Sequence, residues 1–83
     1  MRRRRLDLNF AKIVLMELER LGPLGRTQLE KRTLIKAGSG ATRARFDGVF
    51  EFLKEHGYVE KASEGYRAPY RITEKGRRFL EAI

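Results

Sequence analysis

Arginine is the residue type in this chain whose placement points most directly to chemistry. Lysine and arginine together number 19, against 11 aspartate and glutamate residues, and the formal net charge is +8 at pH 7. Guanidinium groups bind phosphate through paired hydrogen bonds, and a short, strongly basic chain is typical of proteins that bind nucleic acid. The chemistry predicted here is recognition of a phosphate backbone.

Catalysis and metal binding have few residues to support them. The chain contains no cysteine and one histidine, His56, which excludes thiolate sites and the usual multi-histidine zinc sites. A nucleophile and its base would have to come from Ser39, Ser63 and a few acids that no motif brings together. His56 is better explained by a favourable interaction with the C-terminal end of a helix. We expect a non-enzymatic protein that needs no metal, no cofactor and no small-molecule ligand.

Length and hydropathy limit the chain to one small domain. With 83 residues, 41% of them apolar, it can bury a modest core and has no room for a second domain. No apolar run approaches the roughly 18 residues that a membrane-spanning helix needs, and the first residues lack a secretory apolar segment. We therefore expect a soluble protein without membrane contact, located in the cytoplasm and associated with the nucleoid.

The densest basic run stands at the start of the chain. Adjacent like charges repel each other, so residues 1–8 are predicted to form a basic arm ahead of a folded domain at residues 9–83. One interpretation of the arm is a solvated tail. The other is a segment that follows phosphates or enters a minor groove. The run comprises Arg2, Arg3, Arg4 and Arg5.

The first predicted helix begins near Asp7 or Asn9, both able to cap backbone N–H groups, and ends at Leu21. Its apolar side chains cover about 200° of the helix circumference, wider than the stripe needed to pack on one neighbour. Two interpretations of this breadth are equally supported. Either a small domain wraps this helix on two sides, or part of its apolar surface faces a second subunit. We predict a homodimer through helix 1 with helix 4 assisting, in which Met16 or Leu15 loses exposure.

Helices 2 and 3 are predicted on either side of a turn that contains two glycines. Thr27 and Glu30 match a capping box, in which each side chain satisfies an N–H group of the other residue, so helix 2 starts there and runs to about Lys36. The glycines break that helix. Thr42 caps helix 3, which reaches His56. Its apolar residues follow the spacing i, i+3, i+4 and i+7, which predicts a buried face of Phe46, Val49, Phe50 and Leu53.

A β hairpin and a last helix complete the predicted elements. Two short strands, at residues 58–61 and 70–72, are joined by a loop. Leu24, which stands between turn residues, is expected to add a short extended segment beside this hairpin. Thr73 caps helix 4, and Gly76 allows that helix to approach its neighbour closely.

Three segments carry a family resemblance: GRTQLEKR at residues 25–32, FLKEHGYVEK at residues 52–61 and YRITEKGRRFL at residues 70–80. With the order of the elements, they resemble small archaeal winged-helix DNA-binding proteins. The fold class implied is α+β, mostly α: a winged helix-turn-helix with a three-helix core, a two-stranded β wing and a short C-terminal helix. The implied function is non-enzymatic binding of double-stranded DNA, as a transcription regulator or a chromatin-associated protein.

An RNA-binding or ribosome-associated winged helix is the alternative. It is supported by the arginine-rich arm. GPLG at residues 22–25 and RITEKGRRFL at residues 71–80 also loosely resemble a small-subunit ribosomal winged-helix protein. A module that binds only proteins is disfavoured by the charge.

The docking geometry of the family places helix 3 in the major groove, with the wing on the backbone or in the minor groove. The helical wheel puts Ala44 and Gly48 on the outward front of helix 3, with Arg43 and Arg45 on its shoulders. Gly48 weakens the helix, so either it permits close approach to a groove, or it packs against another helix or is a product of neutral drift. Tyr66 lies in the loop of the predicted wing, residues 62–69, called the wing loop below. It is interpreted as a turn residue that covers the hairpin, in preference to one that stacks on a sugar or base.

The predicted DNA-binding set combines the arm, helix 2, the turn, the front of helix 3 and the wing. Arg67 and Arg71 are expected to hold backbone phosphates, because the wing contacts the backbone in this geometry. A solvated arginine is the default interpretation for each basic residue taken alone. The set is Arg2, Arg3, Arg4, Arg5, Arg26, Lys36, Ser39, Thr42, Arg43, Ala44, Arg45, Gly48, Arg67 and Arg71.

Overall fold

Four helices and a two-stranded antiparallel hairpin make up the part of the chain that the computed structural model describes, residues 7–38 and 40–83. This confirms the α+β, mostly α class, and the layout is compatible with a winged helix. No helix within these ranges is both long and apolar enough to cross a membrane. The elements are α1 (Leu8–Leu21), α2 (Arg26–Ala37), α3 (Arg43–Glu55), β1 (Val59–Lys61), β2 (Tyr70–Ile72) and α4 (Glu74–Ala82). Outside the described residues lie Arg2, Arg3, Arg4, Arg5 and Ser39.

Helix α1 is the central element of the fold. The carboxylate of Asp7 caps it by accepting a hydrogen bond from the N–H of Phe10 at 3.1 Å. Asp7 therefore takes part in the first turn of α1, whose first residue is Leu8. The helix packs against α2, α3, α4 and β2, so the domain wraps it on several sides. Its buried apolar residues are Phe10, Ala11, Val14, Leu15 and Leu18.

Aromatic rings from α3 fill the space between α1 and the hairpin. Phe46 and Phe50 stack with their ring centroids 5.3 Å apart, and the ring of Tyr70 meets that of Phe50 edge to face at 4.9 Å. Such pairs stabilise a core beyond the burial of their apolar area. The predicted inward face of α3 is confirmed, because all four of its residues are buried: Phe46, Val49, Phe50 and Leu53.

The start of α2 differs from the prediction. The helix begins at Arg26, with Gly25 in extended backbone at the N-cap and no side chain that caps it. The predicted capping box is therefore wrong. Glu30 instead accepts a hydrogen bond from the Nε of Arg43 on α3 at 2.9 Å. Its carboxylate therefore binds a charged side chain and not the backbone N–H of Thr27.

The hairpin is joined to the turn that precedes α2. Val59 of β1 pairs with Ile72 of β2 in an antiparallel register. The N–H of Leu24 donates to the carbonyl of Tyr70 at 3.0 Å, and the N–H of Tyr70 donates to the carbonyl of Leu24 at 2.8 Å. This bridge confirms the predicted extended segment beside the hairpin, and it fixes the hairpin relative to the start of α2.

Helix α4 closes the domain by packing against α1 and β2. Thr73 caps it by accepting a hydrogen bond from the N–H of Gly76 at 2.9 Å. A Cβ built on Gly76 would lie 2.1 Å from the carbonyl oxygen of Tyr58, so the predicted close approach is confirmed. The rings of Tyr58 and Phe79 stack at 4.3 Å beside this contact.

Candidate nucleic-acid interface

The first two turns of α3 present a small, open front. Ala44 and Gly48, one turn apart, are both exposed, and no atom of the described chain lies within 4 Å of a Cβ built on Gly48. Packing against another helix of this chain is therefore not the reason for the glycine. A glycine inside a helix costs about 0.5 to 1 kcal/mol relative to alanine, and the open space around Gly48 would accept a side chain. What the residue provides is free access to the backbone of α3.

Arg43 stands on one side of this front with most of its hydrogen-bond donors available. Its side chain is 77% exposed, and its Nε donates to Glu30 at 2.9 Å. That hydrogen bond raises the pKa of the guanidinium, so Arg43 stays charged. Because the bond uses one of five donors, the two terminal nitrogens can still reach a ligand.

Arg45, on the other side of the front, is held much more firmly. Its guanidinium pairs with the carboxylate of Asp7, donates to the carbonyl of Gly40 at 2.9 Å and lies 4.9 Å from the ring centroid of Phe10. The hydrogen bond from Arg45 lowers the pKa of Asp7, against the opposing effect of burial. Arg45 thus links the start of α1 to the start of α3, and fewer of its donors are available than at Arg43.

Arg26 connects the start of α2 to the middle of α3. It pairs with Asp47 at 2.5 Å, and a second nitrogen lies 3.9 Å from Glu51. Its guanidinium also lies 5.1 Å from the ring centroid of Phe50. Asp47 and Glu51 would repel a phosphate that approached α3, and the charge of Arg26 offsets part of this repulsion.

A groove of about 570 Å³ separates the start of α2 from the wing loop. Tyr66, in its wall, is 91% exposed, which corrects the interpretation that this side chain covers the hairpin. The guanidinium of Arg67 lies 5.9 Å from the ring centroid of Tyr66, and no carboxylate of the described residues pairs with it. Arg26 lines the same groove and pairs with Asp47 of α3, so this side chain links the groove to the flank of α3.

The remaining predicted residues serve the fold or lie elsewhere. Thr42 caps α3 by accepting the N–H of Arg45 at 3.2 Å. Arg71 donates twice to Glu60 across the hairpin, at 2.9 and 2.6 Å. Lys36 lines a different groove, between α1 and α4. The structure therefore brings together one subset of the prediction: Arg26, Arg43, Ala44, Gly48 and Arg67.

Sequence reasoning missed a buried carboxylate, Glu17. Its side chain is 4% exposed and accepts hydrogen bonds from Arg20 and Arg32, each at 3.0 Å, while the Nζ of Lys36 lies 3.6 Å away. Burial acts to raise the pKa of Glu17, but the hydrogen bonds from both arginines outweigh it and the pKa is lowered from 4.5. Its position three residues after Val14 placed it on the inward face of α1 and was the available signal.

The lowered pKa values of Glu17 and Asp7 predict a loss of stability in acid. The unfolded chain takes up protons as the pH falls through the ordinary values of 4.5 and 3.8, whereas the folded chain resists protonation. The two carboxylates therefore contribute their whole stabilisation above about pH 5. The free energy of unfolding decreases as the pH falls through their lowered folded pKa values. Urea unfolding between neutral pH and pH 2.5 measures this. Glu17→Gln should flatten the acid limb, and Glu64→Gln, at an exposed wing position, should leave it unchanged. Identical acid limbs for wild type and Glu17→Gln would contradict this explanation.

Comparison with protein-family models, with curated proteins and with solved structures finds no match. The function of this surface is therefore inferred from its own geometry and charge.

Proposed function

We propose that this protein is a non-enzymatic, winged helix-turn-helix binder of double-stranded DNA, a transcription regulator or a chromatin-associated protein. In this proposal α3 enters the major groove, and the wing rests on the backbone or in the minor groove. The observation that carries it is the open front of α3 at Ala44 and Gly48. The major groove of B-DNA, about 12 Å wide, admits an α-helix, and a helix without large front side chains can approach its floor closely.

Each basic residue around the front has a separate proposed role. Arg43, the more available of the two shoulder arginines, contacts base edges or a phosphate. Arg26 and Arg67, on the two walls of the groove beside the wing, hold phosphates that flank the site. Arg45 and Arg71 mainly position the elements that carry these contacts. The arginine run at the start of the chain, Arg2, Arg3, Arg4 and Arg5, is proposed to follow the phosphate backbone.

Contact with DNA is proposed to stop after the second turn of α3. Glu51 and Glu55 lie exposed on the same helix beyond that point, and their carboxylates repel phosphates. The approach is therefore led by the N-terminal residues of α3, where a ligand meets arginine and small side chains.

Salt dependence is the experiment that tests DNA binding. If about five to eight phosphates are neutralised, the plot of log affinity against log salt concentration should have a slope of roughly −4 to −7. Fluorescence anisotropy of a labelled duplex measures it, with structured RNA and single-stranded DNA as parallel ligands. Arg67→Ala should make the slope shallower by about one unit, whereas Arg78→Ala on α4 should leave it close to wild type. Absence of duplex binding at low salt, or tighter binding of structured RNA throughout, would contradict the proposal.

We also propose a homodimer through α1 with α4 assisting. Met16 is 51% exposed and Leu21 41%, and an apolar groove of about 360 Å³ runs between α1 and α4, with Met16 and Leu80 in its walls. Leu15, the other residue predicted for this interface, is completely buried within a single chain. That part of the prediction is wrong, because α3 and α4 already enclose much of the broad apolar face of α1.

Met16→Lys is expected to convert the dimer to a monomer. A lysine in an apolar interface would have to lose its hydration, which opposes association. Sedimentation velocity at tens of micromolar should give the dimer mass for wild type and the monomer mass for the variant. Ile35→Lys removes another exposed apolar residue, which lies on α2 and outside the groove, and should leave the dimer intact. A wild-type protein that is monomeric at this concentration would exclude the interface.

A further inference from the structure

The aromatic ring of Tyr66 stands in solvent without covering any part of the chain. Its side chain is 91% exposed, whereas the other two tyrosines are half-buried and pack against other aromatic rings, Tyr58 face to face and Tyr70 edge to face. An isolated exposed aromatic residue needs no explanation by itself. The position of Tyr66 does need an explanation, because the ring lies in the wall of the groove between α2 and the wing loop.

The other residues that line the groove indicate which kind of ligand it can bind. Two arginines line it, Arg26 and Arg67, and no acidic residue is part of its lining. The guanidinium of Arg26 also pairs with Asp47 of α3, whereas no carboxylate of the described residues pairs with Arg67. Thr27 and Gln28 add a hydroxyl and an amide, which can donate and accept hydrogen bonds. The volume of about 570 Å³ is within the range of sites that hold a small organic ligand. The aromatic face, the cationic side chains and the neutral polar groups together fit a nucleotide, which has a base and a phosphate.

Stacking requires a base whose face is free. Inside a duplex, away from its ends, each base face is covered by its neighbours, so there the ring of Tyr66 can stack only on a base that has left the helix or was never paired. Base–aromatic stacking tolerates any base, because every base has a π face. An acidic peptide would use the two arginines of the groove and gain nothing from the exposed ring.

We infer that the groove between α2 and the wing binds an unpaired nucleotide adjacent to duplex DNA, with its base stacked on Tyr66 and its phosphate held by Arg67 and Arg26. This inference rests on the proposed function, because α3 and the wing bring the duplex to the groove. The protein then prefers duplexes that carry unpaired nucleotides, such as an overhang or a bulge, over fully paired blunt duplexes.

The test compares two probes of equal duplex length, one blunt and one with a short single-stranded thymidine overhang. Wild type should bind the overhang probe about tenfold more tightly, which is in the range expected for one stacked base. Tyr66→Ala should reduce its affinity for the overhang probe to that for the blunt duplex. Tyr66→Phe, which keeps the ring, should retain the preference. All three proteins should unfold at the same temperature, because the side chain makes little contact with the fold.

The outcomes separate this inference from the proposed function. Equal binding of both probes by wild type would overturn the inference and leave duplex binding in place. An equal loss on both probes in Tyr66→Ala would also overturn it, because the ring would then contact paired DNA. Binding of single-stranded thymidine that depends on Tyr66, without binding of blunt duplex, would support the groove and overturn the proposed function.

Discussion

Gly48→Leu is expected to weaken duplex binding by about tenfold or more while making the fold more stable. The leucine side chain would project from the front of α3, where it would hold the helix away from the floor of the major groove. A Cβ at this position has open space around it, and replacing glycine removes no side-chain contact of the fold. Leucine is the better helix former, and the free energy of unfolding should rise by about 0.5 to 1 kcal/mol.

The informative result is that the same substitution lowers the affinity for the duplex and raises the free energy of unfolding. Fluorescence anisotropy with a duplex and thermal unfolding of the same samples measure the two quantities. Gly48→Ala is the matched control: it should gain similar stability, and its smaller side chain should reduce binding less. If Gly48→Leu bound duplex DNA as tightly as wild type, α3 would not lie in the groove.

Gly76→Ala should have the opposite effect on stability, with a loss of about 3 kcal/mol. The added methyl carbon would lie 2.1 Å from the carbonyl oxygen of Tyr58 and 2.9 Å from Cγ1 of Ile72. The carbonyl cannot move aside easily, because it accepts the N–H of Thr73 at 3.0 Å. The alternative is a shift of α4, which would disturb the stacked pair of Tyr58 and Phe79.

Thermal unfolding followed by circular dichroism measures this loss. For a domain of this size, about 3 kcal/mol corresponds to a decrease in the melting temperature of at least roughly 10 °C. Gly48→Ala is again the control, because it makes the same chemical change in another helix where the added carbon has open space. A Gly76→Ala protein as stable as wild type would contradict the close packing of α4 against Tyr58 and Ile72.

Local signals in the sequence predicted the elements well. Thr42 and Thr73 cap the helices they were expected to cap, because a cap depends on the residues of a single turn. The four apolar residues of α3 are buried for a similar reason: their spacing alone defines a face. The close approach at Gly76 was also predicted, but the role of Gly48 stayed open in the sequence, because the space around a helix glycine depends on distant elements.

Tertiary pairing of charges is what the sequence could not predict. Among the described residues, five of the six predicted basic site residues have a carboxylate partner, and Arg67 has none. Partners such as Glu30 for Arg43 and Asp7 for Arg45 come from other helices, so no spacing rule finds them. Exposed ion pairs contribute about 0 to 1 kcal/mol each, so a phosphate can replace the carboxylate at small cost where the arginine has few other contacts, as at Arg43.

The placement of α3 in the groove is tested most directly by the amide chemical shifts of the protein during titration with a duplex. The proposed function predicts that the largest changes occur at the start of α3 and at the tip of the wing, with Arg43, Gly48 and Arg67 among them. Changes confined to the α1 and α4 groove around Met16 and Leu80, with the front of α3 unaffected, would contradict it.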